Sequence, residues 1–186
     1  MKGLRYFFSD IILVLIFLSW IAWNLYMYFS IGGIQDIHKI SGGYFIPDLF
    51  FYQSVDNLSE LMHSYGPQGR LFYLKYQFRD FVYPFIYGLL LMGVLVRLIR
   101  PKTFNIWIFI PWLAVGFDFI ENYFLRIIFY DFPQIVESKV SIASWASTLK
   151  WSFILISFIL IVIAFIHRRA KNAKKSETTA PISLNG

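Results

Sequence analysis

Four blocks of apolar residues, each long enough to cross a lipid bilayer, constrain this chain more than any other feature of its sequence. They cover about 6–31, 71–100, 104–128 and 142–166, and the hydrocarbon core of a membrane needs roughly 20 such residues in a helix. Of the 186 residues, 58% are hydrophobic and only 15% charged, whereas a soluble domain carries about a quarter charged residues. Lipid is therefore the better solvent, and a backbone in lipid must satisfy its own hydrogen bonds, which selects helices here. The expected fold is all-α: an integral membrane four-helix bundle forming one domain over 1–170, followed by a basic tail over 171–186 that lacks apolar periodicity and should be disordered.

Lys2 and Arg5 give the first block the basic start of a secretory signal, but the apolar part of such a signal runs to about 7–15 residues. The block is longer and is read as a retained anchor. A polar and aromatic loop over 32–69 holds the turn pairs Gly32-Gly33, Gly42-Gly43 and Gly66-Pro67. Within it, capping residues from Ser54 and the spacing of Leu58, Leu61 and Met62 predict a short amphipathic helix on the bilayer surface. Lys2, Arg5, Arg97, Arg100, Lys102 and the tail fall on one side of a four-span topology. By the positive-inside rule that side is cytoplasmic, with both termini there, in the cell membrane, or the inner membrane of a bacterium. Lys39, Arg70, Lys75 and Arg79 in the long loop oppose this assignment, offset by Asp36, Asp48, Asp56 and Glu60.

The net charge of +6 does not point to nucleic acid. Arg168, Arg169, Lys171, Lys174 and Lys175 against Glu177 account for four of the six charges, in the place where topology and anionic lipid use them. No nucleic-acid recognition motif accompanies them. The expected partner is the bilayer itself, with a lipid-like or cationic ligand, and a second copy or another membrane protein against the spans. With no cysteine there is no thiol chemistry. His38, His63 and His167 lie outside the spans, and acid spacings alone carry no metal signature, so no metal or cofactor is expected.

Ionisable groups inside a span cost about 2.5–3.5 kcal/mol each at its centre, so each needs a reason. Asp80, Tyr83 and Tyr87 stand at i, i+3 and i+7 on one stripe of the second span. Pro84 withholds the N–H owed to the Asp80 carbonyl, and Pro111 does the same to Trp107 in the third span. Asp118, Glu121 and Asn122 share a face of the third span. The second and third spans run antiparallel, so both groups fall in the outer half and are expected to meet in one polar pocket. Clustered acids there could bind a cation, hold a metal, or hold and release a proton. Lys150 could neutralise Glu121 or Asp118, or could extend to the outer interface and leave them unpaired. Arg126, a turn after Asn122, is another candidate counter-charge, and Arg70 a candidate contact for a lipid phosphate or acidic substrate. The bland alternative for the acids is a hydrogen-bond network that orders helix packing.

The strings YGPQGRLFY, DFVYPFIYG and DFIEN, spread over roughly 49–125, resemble those of an uncharacterised group of small four-helix membrane proteins. In outline the chain is also similar to the sigma-2 receptor and emopamil-binding family, with a long first loop, a basic tail, and an acid shortly before a proline in the second span, matched by Asp80 and Pro84. That family's late acid in the first span has no counterpart, Asn24 being the nearest polar residue, and its catalytic histidines are absent. The resemblance implies a pocket for sterol-like or amine ligands. From the residues themselves three functions stand: binding, transport or sensing of a small cationic or amphiphilic ligand; an intramembrane enzyme acting on a lipid or prenyl substrate with Asp80 or Glu121 as acid or base; and an accessory subunit whose acids only orient helices.

Overall fold

The computed structural model describes residues 2–99 and 106–179, with side chains over 3–99 and 106–172. The basic turn at Arg100 and Lys102 and the last residues, 180–186, lie outside the described residues. Every regular element among the described residues is helical. Four stretches are long and apolar enough to cross a membrane, Asp10–Ile40, Val55–Leu98, Ile106–Asp131 and Glu137–Asn172, as in a multi-pass membrane protein.

The first apolar block is not one helix. A short α1 (Lys2–Phe7) stops, and Ser9 caps α2 (Asp10–Phe29) by accepting from the Ile12 N–H; an apolar count over 6–31 hides this Ser-Asp start signal. After α3 (Ile34–Ile40) the chain makes a single 3-10 turn at Pro47–Leu49 and enters α4 (Val55–Asp80). The segment expected to form a short amphipathic helix on the bilayer surface falls in the first part of α4. Its Leu58, Leu61, Met62 and Tyr65 pack into protein, beside Ile37, Ile46 and Phe129, rather than onto a bilayer surface. At Gly66 and Pro67 two helical segments of α4 meet across a kink: Gly66 takes φ 59° and ψ −176°, a conformation open essentially only to glycine, and Pro67 starts the next segment.

The second long helical stretch therefore begins well before residue 71. Its own break comes at Phe81 and Val82, between α4 and α5 (Tyr83–Leu98), because Pro84 cannot continue the ladder from Asp80. The third span opens with a 3-10 turn, Ile106–Phe109, before α6 (Ile110–Asp131). Pro111 thus sits in the first turn of α6, where a missing N–H costs little, and does not interrupt a helix as the sequence pattern suggests. Against the expectation of a disordered tail, α7 (Glu137–Thr179) runs on past 171. Its Ala, Lys and Glu residues are good helix formers and extend a helix already nucleated.

The helices α6 and α7 form a long antiparallel pair, and α5 packs against α6, α2 and α7. Within their most apolar windows α2 is 6% buried and α7 11%, against 44% for α4–α5 and for α6. The last two form the centre, and α2 and α7 turn their apolar faces outward. At Gly88 α5 comes so close to α6 that a Cβ would lie 2.6 Å from Val115 Cγ2. Arg5 donates to the Val96 and Arg97 carbonyls, and Arg168 also donates to the Arg97 carbonyl, so the start of the chain and the C-terminal part of α7 both reach the end of α5.

At the other end the loop before α4 folds inward. Ser144 donates to the Gln53 carbonyl at 2.6 Å and accepts from the Gln53 N–H at 3.0 Å, while Ser147 and Thr148 donate to Phe50 and Phe51. These bonds lay residues 50–53 along α7. They hold the Pro47–Leu49 turn beside Lys150, about 20 Å down α7 from Glu137 at 1.5 Å per residue. Part of a loop expected to lie outside the membrane thus re-enters the molecule, with its backbone polar groups satisfied by protein.

Candidate functional site

The break at Phe81–Val82 brings the last turn of α4 and the first of α5 against the middle of α6. Asn122 is the joint. Its side-chain amide donates one bond to Asp80 at 3.0 Å and another to Asp118 at 2.9 Å, so a single neutral group holds two carboxyls from different helices. Tyr87 donates to the second Asp118 oxygen at 2.9 Å, and the Trp20 indole of α2 donates to the Tyr83 hydroxyl at 3.2 Å. Asp80 and Asp118 are buried, each at most 6% exposed.

Lys150 is also buried and does not extend to an interface. It forms an ion pair with Glu121 and donates to the Asp48 carbonyl at 3.1 Å. The Asp48 carboxyl, on the re-entrant turn, accepts from the Tyr73 hydroxyl at 3.0 and 3.2 Å, and Gln77 donates to Tyr73 in turn. Burial pushes the Asp48 carboxyl up to about 6, against the opposing pull of Lys150 and the Tyr73 hydrogen bond.

These groups line one end of a cavity of about 520 Å³. Its polar wall is Asp48, Asp80, Asp118, Tyr76, Tyr83, Tyr87 and Lys150, and the remainder is mainly apolar, from Trp20, Leu91, Trp151 and Ile161 among others. Phe17 of α2 and Phe158 of α7 flank it and are 46% and 53% exposed. Among the described residues α2 and α7 make few contacts with each other. The cavity has the size and the mainly apolar, locally polar character of a small-molecule site.

The sequence-derived residues divide into three groups. Asp80, Tyr83, Tyr87, Asp118 and Lys150 line the cavity. Asn122 stands behind the two aspartates, and Glu121 is turned away onto Lys150. Arg70 and Arg126 are elsewhere: Arg70 donates to the Met62 carbonyl at 2.9 Å, across the Gly66 bend, with its guanidinium 4.5 Å from the Phe132 ring centre, and Arg126 contacts Tyr130. The long-range pattern missed Asp48, Tyr73, Gln77 and Trp20. Tyr73, Gln77 and Asp80 lie on one α4 stripe at i, i+4 and i+7, and Asp48 interrupts the apolar string FIPDLFF; both were available signals. Among the described residues no group of three His, Asp or Glu side chains is placed to hold a metal ion. Compared with known proteins, the chain matches no protein family, no curated protein and no solved structure.

Proposed function

We propose that this protein binds a small amphiphile carrying a positive charge, with the charged group at Asp80 and Asp118 and the apolar body among the aromatic and aliphatic walls. One observation carries this: three carboxyls face a largely apolar cavity whose one lysine is already engaged by a fourth, Glu121. An incoming cation supplies the missing counter-charge, and tyrosine and tryptophan rings favour it further. The sparse contact between α2 and α7, with Phe17 and Phe158 exposed at the cavity, suits a ligand arriving from the bilayer, for transport or for sensing. In this proposal the four spans form a bundle in the cell membrane, the inner one in a bacterium, and the N-terminal segment of α4 caps its outer end. The arginines at 5, 97, 168 and 169 then face the cytoplasm together with both termini.

The test uses purified protein in an uncharged detergent, titrated with dodecylamine, dodecanol and dodecanoate. The amine is expected to bind best, and Asp80→Asn with Asp118→Asn to weaken it by about tenfold or more, as loss of charge-assisted hydrogen bonds implies. Equal binding of all three compounds, or an unaffected double variant, would overturn the proposal. One feature favours a second function: two carboxyls sharing a single amide donor are placed as an acid and base pair would be, in an intramembrane enzyme acting on a lipid or prenyl substrate. Turnover of extracted lipids by the wild type, lost in Asp80→Asn, distinguishes catalysis from binding.

A further inference from the structure

A second concave site lies on the outer face of α4 and α6, away from the acidic cavity. It encloses about 380 Å³ and gathers three cations, Lys75, Arg79 and Arg126, beside Leu71, Phe78 and Tyr130. Among the described residues none of the three cations has a carboxylate within ion-pair distance. Arg79 is anchored by donating to the Ser30 hydroxyl and the Ile31 carbonyl. Arg126 reaches the Tyr130 hydroxyl with one nitrogen, while its other terminal nitrogen, Nη1, is buried and has no partner.

Like charges brought together without a counter-ion repel, and a buried guanidinium nitrogen without an acceptor loses its hydration. Their position sharpens the point. Arg79 holds the end of α2, whereas Arg5 and Arg168 gather near its start, so this cluster lies at the opposite end from the basic residues that set topology. Cations there oppose the charge asymmetry that orients a membrane protein. Snorkelling side chains would spread apart into water, whereas these three converge on one concavity. Leu71, Lys75 and Phe78 form a single stripe of α4 at i, i+4 and i+7, and Leu71 and Phe78 are exposed. A charged recess thus adjoins an apolar surface facing the lipid.

We propose that this groove binds the phosphate of an anionic lipid, with Lys75, Arg79 and Arg126 as donors and the acyl chains along Leu71 and Phe78. Arginine pairs supply the forked geometry that phosphate oxygens accept. The full chain, purified in neutral detergent and incubated with mixed micelles of phosphatidylcholine and phosphatidylglycerol, is examined by native mass spectrometry. Preferential retention of phosphatidylglycerol is expected. Arg126→Gln and Lys75→Gln should each reduce that preference by about tenfold, the loss of one charge-assisted contact. Lys75 is exposed, so its variant keeps the fold, and unchanged dodecylamine binding in both variants separates this groove from the acidic cavity. Inorganic phosphate should compete only weakly. If it binds as tightly as the lipid, the groove serves a free anion and the lipid assignment fails; if neither variant alters lipid preference, the site itself is refuted.

Discussion

Asp48 is the residue whose environment differs most from what its position in a loop suggests. Its carboxyl holds its proton to higher pH in the folded chain than in the unfolded one, at about 6 against 3.8. Between those values the folded state binds more protons, so stability falls as pH rises through the interval, by about 3 kcal/mol in all. Asp48→Asn should flatten that part of the profile, measured by thermal unfolding in detergent from pH 4 to 7. The same ionisation favours a bound cation, so dodecylamine affinity should drop as pH falls below about 6 in the wild type and much less in Asp48→Asn. Lys150 and Glu121 make the complementary case. Removing one partner strands a buried charge at a cost of about 3–5 kcal/mol, whereas replacing both with neutral side chains is far milder. Glu121→Gln should therefore lower the unfolding temperature sharply, and Glu121→Gln with Lys150→Met should recover most of it. A single variant no less stable than the wild type would show that the ion pair does not hold these helices.

At the scale of elements, the two breaks in the α4–α5 run place the site. The kink at Gly66 sets the buried start of α4 apart from the rest of the helix, and the Pro84 break sets Asp80 against Asn122. A Cβ on Gly66 would meet nothing within 4 Å, so the cost of Gly66→Ala is purely one of backbone conformation, about 1–3 kcal/mol. Differential scanning of that variant should show the loss without any change in cavity chemistry. The turn pair Gly66-Pro67 was legible as a break; that the segments on either side stay joined across it depends on the positive φ of Gly66 and on Arg70 donating to the Met62 carbonyl. Gly88 works differently. Gly88→Ala pushes against Val115, and Val115→Ala should relieve it, since the conflict is steric.

For the whole molecule, under the proposed function, the gap between α2 and α7 beside Phe17 and Phe158 is the ligand's way in. Linking that gap should close it. Cysteines introduced at Phe17 and Phe158 and joined by a flexible crosslinker are expected to slow dodecylamine binding and release together, without changing the unfolding profile; unchanged rates would place the ligand's route elsewhere. The charge distribution predicts that reporters fused to either terminus are read from the cytoplasm. Opposite readings at the two ends would contradict an even number of spans.

The apolar lengths and the sparse charge by themselves determined an all-helical chain with four helices long and apolar enough to cross a membrane, because transfer into lipid is a property summed over consecutive residues and needs no partner. Helical spacing likewise grouped Asp80 with Tyr83 and Tyr87, and Asp118 with Glu121 and Asn122, since residues on one helix face are set by the backbone alone. Which of them share a cavity was decided only in three dimensions. Glu121 and Asp118 are a turn apart on α6, yet one turns to Lys150 and the other to Tyr87 and Asn122. Asp48 joins them from a loop 70 residues from Asp118 along the chain, because Ser144 and Ser147 bind that loop's backbone to α7. Local periodicity carries no record of such contacts; they follow from how the helices close against one another and what the closing leaves room for.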